Sequence, residues 1–230
     1  MDERGRPLRW ACAVLVLVLI PLVWHAGARA EQLGEVQGSD AAHRKRQRKV
    51  QFRTAVGPVL AWSRERAGGA SLDASGSGLG INASLGAALT KALSLQMDLV
   101  FIHVPGSDYH VDGELLYEDA ALSLVCFGLG ASYRFRTQDV VVAGSLGLAR
   151  LGLAAGRIRA GRLDLPHLDQ NSDVGAGVHF VLGKHWRISQ AWGLGASLDA
   201  LWLSTRYRFQ HANGRMHTFA LGLLLRAAFR

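Results

Sequence analysis

Residues 219–229, FALGLLLRAAF, can be set as a helix or as a strand, and the choice decides the fold. Eleven residues are too few for a membrane-spanning helix, which needs about 20 apolar residues. Set as a strand, Phe219, Leu221, Leu223, Leu225, Ala227 and Phe229 share one face, and Arg226 falls on the other. The two phenylalanines stand ten residues apart. An even spacing keeps both rings on one face of a strand, whereas a helix would carry the second ring far round from the first.

The same spacing recurs in Phe52 and Trp62 and in Trp192 and Trp202. Ten strand residues at about 3.3 Å each, tilted near 40°, cover roughly 25 Å, the height of the apolar band between the aromatic girdles of a membrane barrel. Phe52, Trp62, Trp192, Trp202, Phe219 and Phe229 are therefore the expected girdle residues, and their face is the expected lipid-facing one.

Outward from these pairs, alternation of period two continues along most of the chain. Phe52, Thr54, Val56, Pro58, Leu60 and Trp62 share one parity; so do Leu79, Ile81, Ala83, Leu85, Ala87 and Leu89, and Leu95, Met97, Leu99 and Phe101. Trp192, Leu194, Ala196, Leu198, Ala200 and Trp202 repeat the pattern, while 121–135, 140–152 and 174–182 alternate less cleanly. Eight segments result, at about 51–63, 78–90, 94–104, 121–135, 140–152, 174–183, 190–207 and 217–229. Long connections (64–77, 105–120, 153–173, 208–216) alternate with short ones at 90–93, 136–139 and 183–187. An even strand number, short turns at one end and longer loops at the other predict an all-β, eight-stranded antiparallel up-and-down transmembrane β-barrel over 51–230.

The opposite parity then faces inward and carries Arg53, Asp98, Arg134, His179, Asp199 and Arg226 among many Gly, Ala and Ser. An eight-stranded barrel is just wide enough inside for side chains to fill it. Buried charges need partners, so these six residues are expected to form a lumen network that plugs the barrel; a narrow gated pore lined by the same charges is the alternative. Cys126 lies on the inward parity and is expected to fill space, not to react.

The N-terminus reads as an export signal. Arg4, Arg6 and Arg9 precede an apolar run from Ala11 to Val23, and Ala28-Arg29-Ala30 offers a small-x-small cleavage site, so 1–30 is the expected signal peptide. Residues 31–50 form a polar tail ending in the basic cluster 44–49. The formal charge of +8 falls to +6 on removal of 1–30. A basic exported protein meets anionic lipid and lipopolysaccharide, and no nucleic acid partner suits that compartment. Cys126 is the single cysteine outside the signal peptide, so no internal disulfide is expected.

On this pattern, and on the C-terminal strand Phe219–Phe229, residues 51–230 resemble the small eight-stranded outer-membrane β-barrel proteins of Gram-negative bacteria, the OmpA-like and OmpX-like superfamily. The resemblance implies an outer-membrane location and a C-terminal strand read by the barrel-assembly machinery. Two positions depart from that signal: Ala227 replaces an aromatic often found there, and Arg230 follows Phe229 at the end.

Chemistry is sought and not found in the sequence. Lipid A deacylases of similar size carry a His-x-Ser pair, and none of the nine histidines has Ser two positions later. No G-x-S-x-G elbow occurs. His103, Asp108, His110, Asp112 and Glu114 gather in one loop without a standard ligand spacing, so neither metal nor other cofactor is expected. Arg157, Arg159 and Arg162 are candidate contacts for lipopolysaccharide phosphates, since guanidinium forks suit phosphate oxygens; a merely solubilising loop fits them equally. The expectation is a non-enzymatic outer-membrane protein with a structural or surface-interaction role. A lipid-modifying enzyme or narrow pore is the alternative, and a soluble lipocalin-like carrier stands behind both.

Overall fold

The computed structural model describes residues 50–67, 70–111, 114–135, 138–154, 157–158, 170–189, 191–209 and 212–229. The expected signal peptide and polar tail lie outside these residues, apart from Val50. Ten strands follow in chain order: β1 (Val50–Ala67), β2 (Ala70–Ala88), β3 (Leu93–Val111), β4 (Glu114–Phe135), β5 (Val140–Ala154), β6 (Arg157–Ile158), β7 (Gln170–Asn171), β8 (Gly175–Arg187), β9 (Trp192–Phe209) and β10 (Ala212–Phe229). β6 and β7 are two-residue additions to the edges of β4 and β5. The other eight form an antiparallel meander, and β1 pairs with both β2 and β10, which closes it into an eight-stranded barrel.

Closure removes the free edges within the barrel wall, so backbone groups there are satisfied strand to strand without help from solvent. The turns between β2 and β3, β4 and β5, and β8 and β9 are short and share one end of the barrel with Val50 and Phe229. That end is called the turn end below, and the opposite one the hairpin end.

At the hairpin end the structure departs from the expected loops. Residues 64–67 and 70–77 are paired strand, as are 105–111, 114–120, 208–209 and 212–216, so three long connections are hairpins reaching beyond the apolar band. Their outward residues, such as Arg64, Asp108, Arg206 and Arg215, are polar, while Ala74, Tyr109 and Met216 are buried on the inward face, so the apolar-outward alternation of the membrane band does not continue into them. In β3 the ladder is interrupted between Val104 and Ser107, where Gly106 adopts a φ of 64°, a conformation that costs glycine little. The bulge shifts the inward parity from Val104 to Ser107 and Tyr109, all buried.

Both faces follow from side-chain parity. Outside, Leu129, Leu146, Leu148, Phe180, Leu223 and Leu225 are all more than half exposed. Inside, the packing is layered. Val59, Ile102, Leu122, Leu124, Leu151 and Leu203 form an apolar layer toward the hairpin end, each at most 4% exposed. Glycines opposite make room for it: a Cβ on Gly80 or Gly222 would come within 2.5 or 2.8 Å of the Val59 side chain. Polar side chains concentrate toward the turn end. The inward face is thus half apolar, which parity alone had marked as polar among small residues.

Candidate functional site: the buried polar cluster

Four of the six inward residues read from the sequence meet in the lumen. Asp199 on β9 is the hub. It accepts from Asn82 Nδ2 (3.0 Å), from Arg226 Nη2 (3.1 and 3.3 Å to its two oxygens) and from Ser197 Oγ, and it lies 3.2 Å from His179 Nε2. Arg226 Nε also donates to Ser197 Oγ at 3.0 Å. The far side of the His179 ring faces a second carboxylate, with Nδ1 3.8 Å from Asp98. Asp98 in turn accepts both bonds of a fork from Gln96 Nε2, at 2.8 and 2.9 Å. Asp98, His179, Asp199 and Arg226 are all at most 7% exposed.

Strand period places these groups. Ser197 and Asp199, and Gln96 and Asp98, are i and i+2 neighbours on one face, so each pair points the same way into the lumen. Small residues opposite leave space for the long ones: Arg226 pairs across to Gly195 and Ala55.

The remaining two inward residues stand apart. Arg53 reaches the cluster only through Gln96 (3.4 Å) and otherwise bonds Ser132 (3.2 Å) and Gln51 (2.8 Å). Arg134 turns to Asp139 in the adjoining turn. Asn82, Gln96, Ser132 and Ser197 were missed by reading charges alone; their inward parity was the available signal. Cys126 is buried on the inward face and carries no disulfide.

The outward aromatics fall into two rows on three neighbouring strands. Phe52 pairs with Phe229 and Phe229 with Trp192, while Trp62 pairs with Phe219 and Phe219 with Trp202. Ring centroids lie 5.1 Å apart for Trp192–Phe229 and 6.0 Å for Trp62–Phe219. Trp202 also stacks on His217 at 5.9 Å.

Arg157 sits in β6, and Arg159 and Arg162 lie outside the described residues, as does Asp112. His103 contacts Ser123 Oγ at 3.0 Å, and among the described residues no three metal-ligating side chains converge.

Chemically, the cluster is a clamp. His179 has a carboxylate on each side, so neither ring nitrogen faces a nucleophile. The void between cluster and apolar layer, lined by His179, Asp199, Val59 and Ile102, holds about 10 Å³, room for roughly one water. What the arrangement does is tie β2, β3, β8, β9 and β10 together across the lumen.

No family model and no curated protein matches the sequence. The barrel is similar in fold to solved small outer-membrane barrels. Neisserial surface protein A is 14% identical at a TM-score of 0.46, with 79% of this chain and 98% of that one covered. OprG from Pseudomonas aeruginosa is 11% identical at 0.49, with 80% and 98% covered. The attachment invasion locus protein Ail of Yersinia pestis is 15% identical at 0.38, with 77% and 99% covered.

Proposed function

We propose that this chain is an integral protein of the bacterial outer membrane, exported by its N-terminal signal and anchored by the barrel, with a structural or surface-interaction role and no catalysis. The observation that carries the reading is the belt of exposed apolar side chains, bounded by aromatic rows ten residues apart. Soluble monomers rarely expose contiguous apolar patches above a few hundred Å². A lipocalin-like carrier would turn this face inward around a ligand.

In this reading the short turns face the periplasm and the hairpins face outward, and β10 is the strand offered to the assembly machinery. Arg157, Arg159 and Arg162 belong to the outward connection between β5 and β8 and meet lipopolysaccharide phosphates. The packed lumen supports a plugged barrel over the pore alternative, and the clamp geometry supports a mechanical role for the charges over an enzymatic one.

The test is fractionation with a heat-shift gel. The protein should sediment with outer membrane and migrate faster unheated than boiled. A freely soluble periplasmic pool would refute the proposal.

A further inference from the structure

The outer wall at the hairpin end carries a charge pattern that neither the lumen cluster nor the apolar belt explains. Arg206 on β9 and Arg215 on β10 stand directly opposite each other in the ladder, and Arg66 on β1 is next in the same row. Arg206 and Arg215 share the outward parity of Trp202 and Phe219, four residues away on each strand, and both are exposed. Directly opposed residues hold their Cβ atoms about 4.5–5.5 Å apart, and like charges placed so destabilise the pair. The row is therefore unfavourable for the fold unless an anion lies across it.

No described acid supplies that anion. Neither Arg206 nor Arg215 makes an ion pair among the described residues. Asp73, on the same outer wall, is held by Arg64 Nε at 2.7 Å. Asp173 meets Arg206 through its backbone N–H, which donates to the Arg206 carbonyl at 2.9 Å. Height on the barrel indicates where the anion would come from. Trp62, Phe219 and Trp202 form the aromatic row at this end, and such rings sit at the headgroup level. Ser204 and His217 are the next opposed pair, with His217 stacked on Trp202. Two residues further, at about 3.3 Å each and near 40° of tilt, the arginine Cα atoms stand about 10 Å beyond the rings. The headgroup layer is about 5–7 Å deep on each side of the bilayer. An arginine that lays its apolar stem back along the wall brings its guanidinium into that layer.

We propose that the Arg206–Arg215 pair is a docking site for a phosphate of an outer-leaflet lipopolysaccharide, held against the barrel wall with its acyl chains along the apolar belt. Guanidinium forks match phosphate oxygens, and one phosphate can accept from both arginines at once, which turns their repulsion into a shared contact. Ser204 and His217, between the arginines and the rings, offer further polar atoms to the headgroup. On the same two strands, Leu198 and Leu223 are exposed within the belt and provide the surface for the chains. This wall site is separate from Arg157, Arg159 and Arg162 in the connection between β5 and β8. It rests on the outer-membrane reading, because only hairpins that face outward bring the row to the leaflet that bears lipopolysaccharide.

The test uses the whole folded protein in phosphocholine micelles at fixed ionic strength, titrated with fluorescently labelled lipopolysaccharide and followed by anisotropy. Saturable binding is expected. The double variant R206Q/R215Q should weaken it by about tenfold or more, since both forks are lost. K184Q/R187Q removes the same charge from exposed positions at the turn end and should leave binding within about twofold. Dephosphorylated lipopolysaccharide should bind wild type no better than the intact lipid binds R206Q/R215Q. Heat-shift migration reports whether each variant folds. A second measurement needs no variant: the lipid should move the imidazole nitrogen resonances of His217 and leave those of His185, buried at the turn end, in place. Absence of saturable binding, equal binding of the dephosphorylated lipid, or equal loss in the two double variants would overturn the site. Displacement of the lipid by inorganic phosphate at equal concentration would also overturn it, by assigning the row to a soluble anion. Failure here leaves the fractionation result untouched, so the two readings are separable.

Discussion

Arg226 shows how one residue changes meaning with its fold. In a hydrophobic run it looks misplaced, yet on the inward parity of β10 it closes the ion pair with Asp199 at 3.1 Å. Replacing Arg226 by Leu removes the cation and leaves a buried carboxylate with His179, Asn82 and Ser197 as its remaining partners. The expected loss is about 3–5 kcal/mol, as for other buried pairs broken on one side, measured by urea unfolding in vesicles. Unchanged unfolding would refute a clamping role. Glu65 is the opposite case. It lies three residues beyond Trp62, outside the apolar band, is 2% exposed, and neither carboxylate oxygen has a hydrogen-bond partner. Burial therefore holds its carboxyl above the usual glutamate value. With the folded value raised, the contribution is fully present below the unfolded value, near 4.3, and is lost as pH rises through the folded one. Wild type should thus lose more stability than Glu65→Gln on going from pH 4 to pH 8. Parallel curves for the two proteins would show that Glu65 is not buried as described.

Strands were legible wherever one face differs from the other. β1, β9 and β10 set large apolar residues against Gly, Ala, Ser and charges, so parity and girdle spacing could be read directly. β4 and β5 could not be read so cleanly, because Leu122, Leu124, Leu151 and Leu153 belong to the inner apolar layer. Apolar side chains on both faces erase the alternation. The hairpin extensions were illegible because their outward residues are polar while their inward face mixes apolar with polar side chains, and the bulge at Gly106 shifted parity within β3. The outward face of β10 gives a clean test of side. Leu223 is 63% exposed and lies between Phe219 and Phe229 on the same parity. Leu223→Arg should cost about 2–4 kcal/mol in vesicles, as expected for a cation on the lipid face near mid-membrane. A negligible cost would mean that the faces are reversed.

For the whole barrel, the question is whether eight strands around a filled interior leave any path. The charged residues on the inner parity suggested either a plug or a gated pore, and they were visible in the sequence. The apolar layer was not, because nothing in the alternation of β4 or β5 tells which leucines point inward. That layer weighs on the choice. A pore must pass both levels: the cluster around Asp199, and above it Leu122, Leu124 and Leu151, which are fully buried. Releasing the salt bridge would still leave leucines packed across the lumen, and a dry apolar constriction bars ions and sugars as firmly as a charged one. Liposomes carrying the protein should therefore not swell in a pentose or hexose. Arg226→Ser should leave them tight as well, provided the heat-shift gel shows a folded barrel. If that variant admits sugar while wild type does not, the polar cluster alone is the gate and the apolar layer is more open than its burial implies. Swelling with wild type would overturn the plug itself.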